Sequence, residues 1–264
     1  MKESYQKQGY VLIRHFLSDN EVLELRTILN EFHHLWQQEN ASFYADKAVN
    51  SAYLTSNKFL NNEQRNRLFR FIGSEKVMTL VNELIPQQPC FLNTQLFFNP
   101  VNEKQCNYWH RDPQYHLSIE QQKAALASFD VIHFRLPALD EPGVELIPGT
   151  HKRWDSAEEF DVRLEQNGGK NNQPLSKGKT IKLCAGDLLI FSANMIHRGL
   201  YGMDRLAFDI LFCPSEPSII EFVSDDCLPS KSTMAALDDS SAFINTIKLK
   251  AEIKKQHSEC DHKT

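Results

Sequence analysis

Gly186-Asp187-Leu188-Leu189-Ile190-Phe191-Ser192 reads as a turn feeding a buried strand. Ala193-Asn194-Met195-Ile196-His197-Arg198-Gly199 follows, with a single histidine near the far end. An apolar run this short, bounded by turn residues, fits a buried strand better than a helix. Similar runs lie on both sides: Phe91–Asn99, Ser128–Pro137, Gly143–Ile147 and Thr180–Cys184 before it, Arg205–Cys213 after it. Turn residues separate them, among them Asn99-Pro100, Glu141-Pro142-Gly143, Pro148-Gly149 and Ala185-Gly186-Asp187. Many short strands with this punctuation predict a β-sandwich or barrel.

Upstream the texture is helical. Gly9 to Phe16 (GYVLIRHF) reads as one short strand, and Ser18 with Glu21 three residues later is a capping box. The spacing of Val22, Leu25, Ile28, Leu29 and Phe32 predicts the helix that follows. Residues from about Glu63 to Leu84 read as helical, broken at Gly73-Ser74 and ended by Pro86 and Pro89. A helix over Ser156–Gln166 interrupts the strands, Gly168-Gly169-Lys170-Asn171-Asn172 reads as a mobile polar loop, and a last helix spans about Ser241 to Lys254 before a frayed tail. The expectation is one domain over 1–264: helices over about 18–85, a jelly-roll core over about 91–225, and a closing helix. The fold class is α+β, mainly β.

The chain has 264 residues, 41% of them hydrophobic and 24% charged, as in an ordinary globular protein with a sizeable core. The formal charge is −5, from 29 Lys+Arg against 34 Asp+Glu, with no basic run, which argues against nucleic acid as a partner. No stretch of about 18 apolar residues marks a membrane span. Met1 to Gln6 lacks the apolar core of a signal peptide, so the cytoplasm is the default location. The six cysteines (Cys90, Cys106, Cys184, Cys213, Cys227 and Cys260) have irregular spacing and no C-x-x-C, and read as reduced thiols.

The residues that carry chemistry begin at Tyr108-Trp109-His110-Arg111-Asp112. In an extended segment His110 and Asp112, two apart, point to one side, so an imidazole and a carboxylate face one spot. Ten histidines make a chance H-x-D about an even event, and a surface salt bridge or a cap is the plainer reading of the pair alone. His197, taken alone, reads as a hydrogen-bonded core histidine. Together the three supply two imidazoles and one carboxylate, the facial set that leaves positions open on a non-haem Fe(II) ion. Eight residues after His197, Arg205 opens the apolar strand Arg205-Leu206-Ala207-Phe208-Asp209-Ile210-Leu211-Phe212. A guanidinium there needs an anion. The carboxylate of 2-oxoglutarate suits its two-pronged grip, and an ion pair with Asp204, Asp209 or another acid is the alternative.

These residues together resemble the phytanoyl-CoA dioxygenase family of Fe(II)/2-oxoglutarate oxygenases. The resemblance runs from Gly9-Tyr10-Val11-Leu12-Ile13 and Phe16-Leu17-Ser18-Asp19-Asn20-Glu21 through Trp109-His110-Arg111-Asp112 and Glu145-Leu146-Ile147-Pro148-Gly149-Thr150-His151-Lys152. It ends at Gly186–Phe191, Ile196-His197-Arg198-Gly199 and Arg205-Leu206-Ala207. It implies a double-stranded β-helix with Fe(II) on His110, Asp112 and His197, and 2-oxoglutarate and O2 as co-substrates. It implies anchoring of 2-oxoglutarate by Arg205, with Arg198 as the fallback and Gln95 or Asn93 assisting. Related halogenases lack the carboxylate, so Asp112 favours hydroxylation or another oxidation.

Other residues read more plainly. His133 and Arg135 share parity in Ser128–Leu136 and would face the barrel mouth, where they or Arg198 could meet an acidic substrate. His33 and His34 read as solvated, His116 as part of a loop and His151 as turn packing. There is no G-x-S-x-G and no Gly-rich phosphate loop. The reading is an oxygenase of a small molecule that releases succinate and CO2. Its rivals are a jelly-roll metal- or ligand-binding sensor without turnover, and a metal hydrolase. The substrate and the oligomeric state are not legible.

Overall fold

The short apolar runs form two antiparallel sheets. The computed structural model describes residues 1–128 and 130–261, with side chains to 258. In chain order the elements are α1 (Lys2–Gln8), β1 (Tyr10–Ile13), α2 (Asp19–Glu39), α3 (Ala41–Asp46), β2 (Asn50–Ala52), α4 (Asn62–Ile72), α5 (Glu75–Leu84) and β3 (Cys90–Phe98). They continue with α6 (Ile119–Ser128), β4 (Ile132–Pro137), β5 (Glu141–Leu146), α7 (Ala157–Arg163), β6 (Lys179–Leu183), β7 (Leu188–Ser192), β8 (His197–Gly199) and β9 (Leu206–Cys213). The last are α8 (Pro217–Ile220), α9 (Lys231–Met234) and α10 (Ser241–Asp261).

The chain divides into two compact units, each built from two stretches. The first comprises Met1–Ser51 and Leu96–Asp209, the second Ala52–Gln95 and Ile210–Thr264. The first unit holds the strands of a sheet in the order β1-β7-β4-β9-β3-β2, with β2, β3 and β9 contributing only part of their length, and a second sheet in the order β6-β5-β8. Tyr10, Leu189 and Phe191 of the larger sheet pack with Val144, Leu146, Ile181 and Leu183 of the smaller one, so the inward faces share one apolar core. The result is an α+β fold, mainly β, with a double-stranded β-helix core. β7 is buried along its whole length, which is why it reads as an unbroken apolar run.

Local chemistry explains most boundaries. Ser18 and Glu21 form the capping box that starts α2. The Gly73 break and Ser74 start of α5 fall as the sequence reading has them, although the Ser74 hydroxyl donates back to the Phe71 carbonyl. α7 starts at the capping serine Ser156. In β5 the pairing with β6 shifts register between Glu141 and Val144. Gly143 sits in that bulge at φ 91°, where a Cβ would stand 1.9 Å from the Ile181 carbonyl oxygen. The bulge turns Glu141 inward, and its side chain is fully buried.

Four expectations need correction. The strand placed over Ser128–Pro137 begins at Ile132, because α6 runs through Ser128; Phe129 lies outside the described residues. Arg205 precedes its strand, which begins at Leu206. The closing helix does not stop at Lys254 but continues to Asp261, and the residues beyond lie outside the described part, so the frayed tail is not described. The polar stretch after Gly168 does not hang free. The Asn171 and Gln173 carbonyls accept from the Trp109 backbone and indole N–H groups, and the Asn172 carbonyl accepts from Arg198. The described cysteines (Cys90, Cys106, Cys184, Cys213 and Cys227) are free thiols; the Cys260 side chain is outside the described part. No described helix is long and apolar enough to cross a membrane.

The second unit carries α4, α5, α8, α9 and α10. Its interior includes T-shaped packing of Phe69 on Phe243, and the Thr55 hydroxyl donates to the Cys227 carbonyl.

Candidate metal centre

His110 and His197 face each other across an antiparallel bridge. Each backbone N–H donates to the other's carbonyl at 2.9 Å. Residues paired in this way project their side chains to one side, and the two imidazole centroids stand 4.3 Å apart. Arg111 between them and Asp112 is extended (φ −115°, ψ 137°), so Asp112 returns to the face of His110, as the i, i+2 spacing predicts. The ligand atoms of His110, Asp112 and His197 all lie within 4.8 Å of one another. Asp112 Oδ1 is 3.4 Å from His110 Nε2 and 3.5 Å from His197 Nε2. Facial ligands about 2.1 Å from an ion stand about 3.0 Å apart, so a small contraction would seat one.

The donors are oriented for that role. His110 Nδ1 lies 3.0 Å from the Tyr108 carbonyl and His197 Nδ1 3.0 Å from the Met195 carbonyl, and as N–H donors there they turn each Nε2 lone pair toward Asp112. Burial, then the neighbouring His110, push the His197 imidazole down to about 3, so it is neutral, the form that binds a metal. Burial works to raise the Asp112 carboxyl, but the surrounding imidazoles, with His133 as a hydrogen-bond donor, hold it well below the usual range. Two imidazoles and one carboxylate are the donor set that suits Fe(II) with positions left open.

Arg111 braces this turn. Its guanidinium is buried and donates to Asp155 Oδ1 at 3.0 and 2.7 Å, to the Thr150 carbonyl at 2.7 Å, to the Arg153 carbonyl at 3.1 Å and to the Asn194 carbonyl. It therefore ties the H-x-D segment both to the Pro148–His151 turn and to the loop that delivers His197.

A train of buried charges leads away from Asp112. His133 lies on β4 opposite Phe191, and its ring stacks on that of Phe191. Its Nε2 donates to Asp112 Oδ2 at 2.8 Å and its Nδ1 to Asp209 Oδ2 at 3.1 Å. Burial would lower His133, but the two carboxylates raise it to about 9. Arg135 Nη1 donates to Asp209 Oδ1 at 3.1 Å, while its Nε and Nη2 grip both oxygens of Glu141 at 3.0 and 3.1 Å. Arg205 Nε donates to Glu141 Oε2 at 3.3 Å. Burial, then Arg135, pull Arg205 down to about 10, which leaves it cationic at neutral pH.

His133 and Arg135 thus face the interior as their parity predicts, but they meet acids of the chain itself. Arg198 points to the opposite side of β8 from His197. It is held by Glu145 at 2.7 and 2.8 Å and lies over the Trp109 ring. Arg205 differs from both: it is 5% exposed, yet Nη1 and Nη2 have no hydrogen-bond acceptor among the described residues. Gly199 lies against it, where a Cβ would stand 2.5 Å from Nη2. Asn93 and Gln95 sit on β3 in the second unit. Asn93 Oδ1 accepts from the Thr94 backbone, and the centre described here is built from the first unit alone. His151 is buried in its turn, with its ring 6.1 Å from that of Tyr5.

Sequence reasoning missed two features. Asp209 entered only as a counter-ion for Arg205, although one acid inside an apolar strand was a signal. Glu141 was read as a turn residue. Tyr108 and Tyr115 also border the centre: their rings stand 5.2 and 5.7 Å from that of His110, with the two hydroxyls 2.9 Å apart.

Comparison with known proteins agrees with this geometry. The model of one protein family, phytanoyl-CoA dioxygenase (PhyH), matches residues 5–200. No curated protein matches the chain. Among solved structures, EctD from S. alaskensis with 2-oxoglutarate and 5-hydroxyectoine is similar at 13% identity and TM-score 0.56, over 81% of this chain and 74% of that one. The epimerase SnoN in complex with Fe3+, alpha ketoglutarate and nogalamycin RO is similar at 15% identity and TM-score 0.51, over 81% and 82%. Apo HygX from Streptomyces hygroscopicus is similar at 12% identity and TM-score 0.58, over 81% and 87%. At these identities the structures speak for the fold.

Proposed function

Because the chain belongs to the phytanoyl-CoA dioxygenase family of Fe(II)/2-oxoglutarate-dependent oxygenases, we propose that His110, Asp112 and His197 hold Fe(II), that Arg205 anchors 2-oxoglutarate, and that the enzyme hydroxylates or otherwise oxidises a C–H bond of a small molecule. The observation that carries this reading is the convergence of three ligand atoms within 4.8 Å, with Asp112 Oδ1 turned toward both imidazoles. Bound Fe(II), with 2-oxoglutarate and O2, supplies oxidation of an unactivated C–H bond, with succinate and CO2 as the accompanying products.

The chain's own residues supply geometry and charge. The Tyr108 and Met195 carbonyls fix the two imidazoles, so little reorganisation accompanies metal binding. Arg205 presents two terminal nitrogens without an acceptor among the described residues, in a buried place where a carboxylate would be gripped strongly. Tyr108 and Tyr115 border His110, and Tyr115 is half exposed, which supports entry of the substrate along these rings. Two phenol rings with their hydroxyls suit a small molecule that carries apolar surface and hydrogen-bonding groups. The free thiols favour a reducing compartment such as the cytoplasm.

The test is oxygen-dependent formation of succinate from 2-oxoglutarate by the purified protein with Fe(II). Wild type is expected to support it, and His110→Ala to reduce it to background. A protein that binds metal but never consumes oxygen would instead be a binding or sensor jelly roll. Oxygen-indifferent hydrolysis supported by Zn(II) would point to a hydrolase.

A further inference from the structure

Asp112 offers two oxygens, and a carboxylate that binds a metal through both would occupy an additional position on the ion. With two imidazoles, one-oxygen ligation leaves three positions of an octahedral ion open, and two-oxygen ligation leaves two. A chelating oxo acid fills two, so only one-oxygen ligation keeps a place for dioxygen. The structure divides the two oxygens. Oδ1 faces His110 and His197 at 3.4 and 3.5 Å, and Oδ2 accepts from His133 Nε2 at 2.8 Å.

We infer that His133 is a positioning residue that holds Asp112 to ligation through Oδ1 alone and thereby keeps one coordination position open. The inference rests on the metal reading above and adds to it a role for a residue that touches neither metal nor co-substrate. The geometry of the ring fits the task. It is almost fully buried, its orientation is fixed by stacking on Phe191 at 4.6 Å, and its second nitrogen donates to Asp209 Oδ2 at 3.1 Å. Asp209 is itself buried and held from the other side by Arg135. Rotating Asp112 to bring Oδ2 onto the metal would break the bond to His133 and leave an imidazole N–H without an acceptor in the interior, an arrangement proteins avoid. The order of the train is thus ligand, positioning imidazole, carboxylate, arginine. The same arginine fixes Glu141, which holds Arg205.

The closing experiment uses Co(II) as a spectroscopic probe in full-length protein. Wild type, His133→Ala, His133→Gln and Asp209→Asn are compared by titration calorimetry and by the visible absorption bands of bound Co(II), which respond to coordination number. Loss of a residue that orients a metal ligand typically weakens metal binding 10–100-fold. His133→Ala is therefore expected to weaken Co(II) by about that factor and to change the band intensities, as the second oxygen of Asp112 joins the metal. Glutamine retains one N–H donor within reach of Oδ2, so His133→Gln is expected to restore most of the wild-type spectrum. Asp209→Asn is expected to fall between them. If His133→Ala does not fold, the glutamine and Asp209→Asn variants carry the comparison: a spectrum altered in Asp209→Asn and recovered in His133→Gln supports the inference. Folded His133→Ala or Asp209→Asn with Co(II) affinity within twofold of wild type and unchanged bands overturns it, whatever the stability of the protein. Failure of wild type to bind Co(II) at all would sink the metal reading instead, so the two failures are distinct.

Discussion

Truncation of Arg205 to alanine should separate binding from folding. The side chain is 5% exposed and, among the described residues, makes one hydrogen bond, to Glu141 at 3.3 Å, with contacts to the Phe97 and Tyr201 rings. Removal of one partner of a buried ion pair usually costs about 3–5 kcal/mol because the other charge is left unpaired. Here Glu141 keeps both bonds from Arg135, so the loss is closer to one long hydrogen bond and some packing, about 1–2 kcal/mol. In a chain of this size that lowers Tm by roughly 2–8 °C. The loss of co-substrate binding is larger. Truncating a buried, hydrogen-bonded charge at a binding site costs about 2–5 kcal/mol, which is about 30-fold to a few thousand-fold in Kd. Arg205→Lys keeps the charge but not the fork, and should lie between the two. The assay is calorimetric titration of 2-oxoglutarate into protein loaded with Mn(II), which avoids turnover, alongside a thermal melt. Arg205→Ala that binds 2-oxoglutarate within threefold of wild type would refute the anchor, as would loss of binding explained wholly by unfolding at the assay temperature.

Other perturbations test the surroundings. Gly199→Ala drives a Cβ to 2.5 Å from Arg205 Nη2, so it should raise the Kd for 2-oxoglutarate about tenfold while leaving metal binding within twofold, read in the same titration. Arg111→Ala leaves Asp155 held by Arg163 but frees three carbonyls around the H-x-D turn, and should lower stability by about 3–5 kcal/mol in a urea melt. His151, pushed down to about 4 by burial and then by Lys152, is neutral in the fold, whereas in the unfolded chain it titrates near ~6.5. Its stabilising contribution is therefore complete above about pH 6.5 and is lost as pH falls through about 4, by at most about 3 kcal/mol. Urea midpoints of His151→Leu should show a correspondingly shallower acid limb, and an unchanged slope between pH 4 and 6.5 would count against it.

The candidate metal ligands are more legible in the sequence than the residues that hold them. His110 and Asp112 share a face because two extended residues restore the direction of the side chain, and β7 announces itself as an apolar run, so local periodicity carried both. Elements without such a signal were missed. α1 buries only Tyr5, α6 buries only Gln122 and Ala125, and β2 and β8 are three residues long. Polarity marked the stretch after Gly168 as free, because backbone carbonyls that grip Trp109 and Arg198 leave no trace in side-chain type. The buried train was the hardest to read. His133 and Asp209 are 76 residues apart, and Glu141 turns inward only because Gly143 permits a bulge. Parity correctly aimed His133 and Arg135 at the interior but could not name what they meet. That pairing has a consequence for binding. Asp112, Asp209 and Glu141 supply three negative charges against the cations His133, Arg135 and Arg205, so the cluster is balanced before anything binds. A dicationic metal alone, or a dianionic oxo acid alone, would unbalance it, whereas both together restore neutrality. Mutual support between metal and 2-oxoglutarate therefore follows from the buried charges as well as from direct chelation.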